Sequence, residues 1–192
     1  NLLAHNSESF FDNNFRKELI RIKKNENINI GVSIYNEKEL IKVLDTFEPD
    51  IVQIPINILD KKFYTNDLIK NLKKNNIKIQ ARSIFFQGIF FKNSRYIKKN
   101  FPSIYKNFEI LKNIAKKNNL AISELALRFV AKIHEIDKFI LGINSVEELK
   151  LNIKVINKEI SKKIFDEIID TKNIEIDTLS ILSSNINRRL IK

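Results

Sequence analysis

Four short apolar runs punctuate the chain: Ile28–Tyr35 (INIGVSIY), Ile51–Asn57 (IVQIPIN), Ile77–Gly88 (IKIQARSIFFQG) and Phe139–Ser145 (FILGINS). Each ends in small or polar residues and is followed by a stretch whose apolar positions recur at helical spacing. Runs of this kind, bounded by turn residues, read as buried strands. In the first half they recur about every 22–27 residues, the spacing of βα units. The pattern predicts an α/β fold with a parallel sheet, of the TIM (β/α)8 barrel type. Chemistry in such barrels sits at the C-terminal ends of the strands. Ser33, Gln53, Asn57, Arg82, Ser83 and Asn144 fall there.

Asn1–Asn6 reads as the end of a strand. Ser9–Lys24 reads as a helix with Phe11, Phe15, Leu19 and Ile22 at its apolar positions and Ser7 or Ser9 as N-cap. Strands are expected at Ile28–Ile34, Ile51–Pro55, Ile77–Ser83 and Lys138–Ile143. Helices are expected at Glu37–Phe47 with Asn36 as cap, from Thr65 or Asn66 through Lys74, and at Ser103–Asn118. Three more are expected at Ser123–Ile133 with Ser123 as cap, Val146–Ile156 and Lys158–Asp170. Ser145 with Glu148 three residues on has the form of a capping box. Ile84–Phe91 is an unusually apolar strand-exit loop, in which Phe85, Phe86 and Phe90 read as packing within the loop. From Thr171 onward no clear periodicity is present, and no linker marks a second domain.

The chain has 192 residues, enough for one domain with a real core. A whole eight-stranded barrel takes roughly 250 residues. Opening on Asn1-Leu2-Leu3-Ala4-His5, inside a strand, residues 1–192 read as the C-terminal part of a single, longer domain, holding about strands four to eight of the barrel. Such a piece has two open sheet edges, so by itself it is expected to be inactive and aggregation-prone. With no Cys there is no disulfide, thiolate metal site or cysteine nucleophile, and two His argue against a histidine zinc site. No apolar run approaches the ~20 residues of a membrane span, and a cytoplasmic location is expected.

The formal net charge of +11 raises nucleic acid as a partner. The lysines, however, recur as pairs followed by Asn, at Lys23-Lys24-Asn25, Lys73-Lys74-Asn75, Lys98-Lys99-Asn100 and Lys116-Lys117-Asn118. At the end of a helix Lys complements the dipole, and Asn takes the left-handed conformation that follows it. The charge therefore reads as solvated helix ends, with neither nucleic acid nor membrane as partner. His134, at a helix C-terminus, reads the same way.

Five segments in order carry a family likeness: GVSIYNEKEL (Gly31–Leu40), DIVQIPINILD (Asp50–Asp60), ARSIFFQG (Ala81–Gly88), LALRFV (Leu125–Val130) and LGINSVEELKLN (Leu141–Asn152). Together they resemble the aldo-keto reductases, from the fourth barrel strand to the C-terminus. The ARS strand and IDKFILGINS look like a bacterial branch associated with surface-sugar pathways. The resemblance implies an oxidoreductase that uses NADPH or NADH to reduce a carbonyl (an aldehyde, a ketone or a sugar-derived group) to an alcohol. In that family a Tyr donates the proton, helped by Lys, Asp and His. The Tyr, Lys and Asp belong to segments that would precede Asn1. Only the His carries over, onto His5, where an imidazole can hydrogen-bond the carbonyl oxygen.

The same resemblance implies a cofactor site. Ser33 and Gln53 match positions that fix the nicotinamide carboxamide, with Asn57 nearby in sequence. Arg82 stands where the family often places an aromatic ring under the nicotinamide; its planar guanidinium can stack there or pair with an acid. Ser83, Gln87 and Gly88 match the segment beside the pyrophosphate, where backbone N–H groups bind anions. Gly142, Asn144, Glu148 and Asn152 match the adenosine end, with the helix N-terminus after Ser145 as an anion site and Asn152 as an adenine contact.

Four positions depart from the family pattern. Ile34 replaces a frequent Asn, Arg82 replaces the aromatic, and Asn144 and Glu148 stand where basic residues usually grip the 2′-phosphate. A carboxylate repels that phosphate, so both NADH and NADPH stay open, and Lys150 reads as a helix-surface residue. The departures also suit an alternative: a non-catalytic, nicotinamide-binding regulatory module on the same fold. A lyase or isomerase with a phosphate site is a third reading.

Overall fold

The computed structural model describes residues 1–174. Its five strands are β1 (Leu2–Ala4), β2 (Ile30–Ser33), β3 (Ile51–Pro55), β4 (Lys78–Arg82) and β5 (Lys138–Phe139). All neighbours pair in parallel, in chain order. Parallel neighbours need crossovers, which the helices of the βα units supply. The helices are α1 (Ser7–Phe11), α2 (Asn13–Glu26), α3 (Glu37–Thr46), α4 (Lys62–Thr65) and α5 (Leu68–Lys74), then α6 (Ser94–Asn100), α7 (Pro102–Lys117), α8 (Ile122–Ala131), α9 (Val146–Ile156) and α10 (Lys162–Ile169). A 3-10 turn lies at Ile89–Phe91.

The chain divides into two compact units. The first holds the sheet, in Asn1–Pro55, Phe63–Arg82 and Glu135–Ile140. Strand register sorts its side chains with period 2. Ala4, Val32, Val52 and Ile79 lie side by side as one row of partners, all buried. The adjacent row is Ser33, Gln53, Gln80 and Lys138, so polar groups cross the opposite face, at the end of β2, the middle of β3 and β4 and the start of β5. Gly31 pairs with Ile51, and a Cβ on it would meet the Ile51 carbonyl oxygen at 2.4 Å; the close approach of β2 and β3 requires glycine there.

Two carboxylates tie the starts of strands together in the same way. Asp50 accepts from Ile30 N at 2.9 Å and from Lys23 Nζ, in the last turn of α2, at 2.6 Å. Asp137 accepts from Ile79 N at 2.7 Å and from Lys73 Nζ, in the last turn of α5, at 2.8 Å. Burial raises the Asp137 carboxyl, but the Lys73 hydrogen bond and charge, with the Ile79 N–H, outweigh it and hold the group below its ordinary range.

The second unit comprises Ile56–Lys62, Ser83–His134 and the chain from Leu141. Its core gathers Phe108, Leu111, Leu125, Phe129, Phe165 and Ile168, with the Phe129 and Phe165 rings stacked at 4.9 Å. In the loop before α4, Asn57 Oδ1 accepts from Leu59 N at 2.9 Å and from Asp60 N at 3.0 Å. Lys61 is wholly buried; its Nζ donates to Ile58 O at 3.3 Å and to Thr171 Oγ1 at 3.1 Å. Asn173 Oδ1 accepts from Lys61 N at 2.9 Å, and Ile174 N donates to Leu59 O at 3.1 Å. Desolvation pulls the Lys61 ammonium down to about 8, against the opposing pull of Asp60, whose own carboxyl burial pushes up.

Several local expectations shift. The helix expected over Ser9–Lys24 breaks at Asp12, which is extended; its Oδ1 accepts from Phe15 N at 2.7 Å and so starts α2 afresh. Ser7, offered as a cap, lies within α1, which Asn6 caps. Ser123 is inside α8 rather than its cap, and Asp67, in left-handed conformation, precedes α5 in place of Thr65 or Asn66. Strand β5 ends at Phe139 instead of Ile143, and α10 begins at Lys162 behind the Ser161 cap instead of at Lys158. The left-handed residues after the Lys pairs are Asn27, Asn76 and Asn119, one or two positions later than the Asn expected. At two of them a Schellman arrangement closes the helix: Ile77 N bonds Leu72 O, and Leu120 N bonds Ala115 O. Beyond Ile174 the tail lies outside the described residues. Among the described residues no helix is long and apolar enough to cross a membrane, and no cluster of three or more His, Asp or Glu could hold a metal.

Candidate functional site

On one face of β2–β4, from the middle of β3 and β4 to the C-terminal ends of β2 and β4, the first unit builds one connected polar group. Ser33 Oγ donates to Gln53 Oε1 at 3.4 Å, and Gln53 Nε2 donates to Gln80 Oε1 at 3.3 Å, along the row set by strand register. Arg82 Nε donates to Ser33 Oγ at 3.2 Å, and its Nη2 donates to Ile34 O at 3.0 Å. The Arg82 guanidinium carbon lies 4.3 Å from the centre of the Tyr35 ring. Desolvation lowers the affinity of this guanidinium for its proton, while Tyr35 and the Glu39 carboxylate act in the other direction. A guanidinium keeps its charge at neutral pH even so.

The turn into α3 supports this end. Asn36 Oδ1 accepts from Glu39 N at 3.0 Å and its Nδ2 donates to Glu39 Oε1 at 2.8 Å, while Glu39 Oε2 accepts from Tyr35 N at 2.9 Å. Glu39 thus reaches back over the helix start as the acid of a capping box does. Ile34 is wholly buried. His5 stands just past β1 and is exposed, with no hydrogen bond to the Ser33–Gln53–Arg82 group.

The expected site residues of the second unit form two local groups. In the loop after β4, Ser83, Phe86, Gln87 and Gly88 all have positive φ. Ser83 O accepts from Phe86 N at 2.9 Å and from Asn57 Nδ2 at 3.4 Å, and Phe85 O accepts from Gly88 N at 3.0 Å. The loop's aromatic rings pair with one another, Phe85 with Phe91 and Phe86 with Phe90, as loop packing requires. At the start of α9, Ser145 Oγ accepts from Glu148 N at 3.1 Å and Glu148 Oε2 accepts from Asn144 N at 2.9 Å, so the capping box closes onto Asn144. Gly142, Asn144 and Lys150 are exposed. Asn152 is buried, and its Nδ2 has no hydrogen-bond partner.

The structure thus joins Ser33, Gln53 and Arg82 through hydrogen bonds, and sets Ser83, Gln87 and Gly88 in one loop and Asn144 and Glu148 at the start of α9, with Asn152 about a turn further along that helix. Sequence reasoning missed Gln80 and Tyr35. Gln80 was detectable as the residue two before Arg82 on a strand, and hence on the same face. Tyr35 gave no signal, because its contact with Arg82 crosses from one strand to another.

A parallel sheet with flanking helices is the architecture of α/β barrels, a class of fold whose ligand sites lie at the C-terminal ends of the strands. A model of the Aldo/keto reductase family matches residues 28–173. The chain belongs to the aldo/keto reductase family. No curated protein matches it. Among solved structures, the aldo-keto reductase AKR11C1 from Bacillus halodurans aligns in its apo form with TM-score 0.68 at 14% identity, over 90% of this chain and 61% of that one. Its holo form gives 0.67 at 14%, over 83% and 54%. A thermostable aldo-keto reductase, Tm1743, in complex with the inhibitor epalrestat, gives 0.60 at 18%, over 86% and 57%. These likenesses establish the fold, that of an α/β barrel of which the described residues hold five parallel strands with flanking helices. The chain spans a little over half the length of these solved relatives.

Proposed function

We propose that residues 1–192 are the C-terminal part of one aldo-keto reductase-like domain and supply most of the cofactor site of a carbonyl reductase. The cofactor is NADH or NADPH and the substrate is a small aldehyde, ketone or sugar-derived carbonyl, reduced in the cytoplasm. The observation that carries this reading is the connected group Ser33–Gln53–Gln80 with Arg82 at the strand ends. Ser33 and Gln53 offer a hydroxyl and an amide for the nicotinamide carboxamide, and Arg82 a cationic plane for the ring. Backbone N–H groups around Ser83, Gln87 and Gly88 face the pyrophosphate, and Gly142, Asn144, Glu148 and Asn152 take the adenosine end. The unpartnered Asn152 Nδ2 fits this assignment, because a purine nitrogen would accept from a buried amide that otherwise lacks an acceptor. Bound there, the nicotinamide supplies the hydride. His5 would orient the carbonyl oxygen; the family's Tyr, Lys and Asp are assigned to no residue of this chain.

Fluorescence titration with NADH and with NADPH tests the reading. Saturable binding is expected, with NADH favoured because the Glu148 carboxylate repels a 2′-phosphate. Absence of saturable binding to either cofactor overturns it. The departures at Ile34, Arg82 and Glu148 favour one other reading, a nicotinamide-binding module without turnover. Binding without carbonyl reduction, in a protein that also carries the family's Tyr and Lys, selects that reading.

A further inference from the structure

We infer that Tyr35 is a positioning residue: its ring holds the Arg82 guanidinium in the orientation the nicotinamide site uses, an inference that rests on the cofactor reading above. A guanidinium offers its five N–H groups in one plane. The bonds from Arg82 Nε to Ser33 Oγ, at 3.2 Å, and from Nη2 to Ile34 O, at 3.0 Å, lie in that plane. Those bonds fix two of its nitrogens; a ring against the cation adds a restraint of a different kind. Tyr35 supplies it, with the guanidinium carbon over the ring and 4.3 Å from its centre, well inside the roughly 6 Å over which a ring face attracts a cation.

The main chain that carries the ring is anchored. Tyr35 N donates to Glu39 Oε2 at 2.9 Å, and Glu39 is held in turn by Asn36 at the start of α3. Its carboxylate adds a favourable charge near Arg82. Tyr35 is 47% exposed, so its place against Arg82 is no by-product of core packing. All of these groups sit at the C-terminal end of β2 and the entry to α3, where parallel α/β barrels bind ligands.

The test compares the wild-type chain with Tyr35→Phe and Tyr35→Leu in two measurements. In the first, the Arg82 Nε–H signal is followed by 15N NMR. Phe keeps the ring-current shift and the slow solvent exchange of that proton; Leu abolishes the shift and speeds exchange at least fivefold. A Leu variant with an unchanged Arg82 signal overturns the inference, whatever the cofactor does. In the second, NADH is titrated by fluorescence. Leu weakens binding about fivefold to tenfold and Phe restores it to within twofold, a rescue that loss of stability would not give. Equal binding by all three overturns the positioning role and leaves the cofactor reading standing. No saturable binding by the wild type overturns both.

Discussion

In the loop Ile56–Lys62 polar side chains serve the main chain. Asn57 accepts from two backbone N–H groups at 2.9 and 3.0 Å, and the buried Lys61 donates to a backbone carbonyl and to Thr171. In the row Ser33–Gln53–Gln80 they serve one another, at 3.4 and 3.3 Å, and only Arg82 reaches a carbonyl. Short, buried bonds to the backbone cannot be given up without leaving orphaned N–H groups, which costs about 1–3 kcal/mol each. Longer bonds between side chains can be exchanged for bonds to a ligand at little net cost, since each is worth about 1 kcal/mol. The contrast separates scaffold from site more sharply than polarity or burial does.

The strongest way to break the site row is from behind. Gly31→Ala puts a Cβ 2.4 Å from the Ile51 carbonyl oxygen and forces β2 away from β3. We expect a loss of about 3 kcal/mol in urea unfolding, with cofactor binding lost together with strand pairing. An unchanged unfolding midpoint would show that the two strands yield without cost.

Lys61 tests the scaffold side through pH. Its ammonium titrates near 8 in the folded chain against an ordinary value of 10.5. Between those values the unfolded chain binds the extra proton, so stability rises with pH from about 8 to about 10.5, and is lost again as pH falls back through 8. The rise attributable to Lys61 is on the order of 3 kcal/mol. Lys61→Met should remove that part of the slope, measured as the difference between variant and wild-type unfolding curves across the window. Parallel curves would mean that the buried ammonium is as well served as in water.

The smallest effects sharpen the contrast most. Asn57→Ala should cost about 2–3 kcal/mol, because Leu59 N and Asp60 N lose their acceptor. Gln53→Ala should cost less than about 1 kcal/mol in stability yet weaken NADH binding about tenfold. Urea unfolding read beside a cofactor titration checks both. Equal stability losses would erase the distinction between the two regions.

The strands β2, β3 and β4 and the capped starts of α3 and α9 were legible because each rests on a local signal. Those signals are an apolar run of strand length, or Asn36 with Glu39 and Ser145 with Glu148 three residues apart. Ser33 and Arg82 were legible as polar residues late in apolar runs, and Gln53 as a polar residue within one, at positions that the family resemblance singles out. The break at Asp12 was not, since helical spacing continues across it and only the cap bond to Phe15 N reveals it. Ser123 misled because a good capping residue is also tolerated within a first turn.

From sequence alone came the βα period, the parallel sheet and the strand-end residues, since these follow from apolar spacing and short-range caps. Only the tertiary structure decided which residues meet. Register set Gln80 beside Gln53, the turn into α3 brought Tyr35 over Arg82, and packing buried Lys61 while many other lysines stayed in solvent. Each of these contacts joins residues far apart in the chain, and no local pattern encodes them.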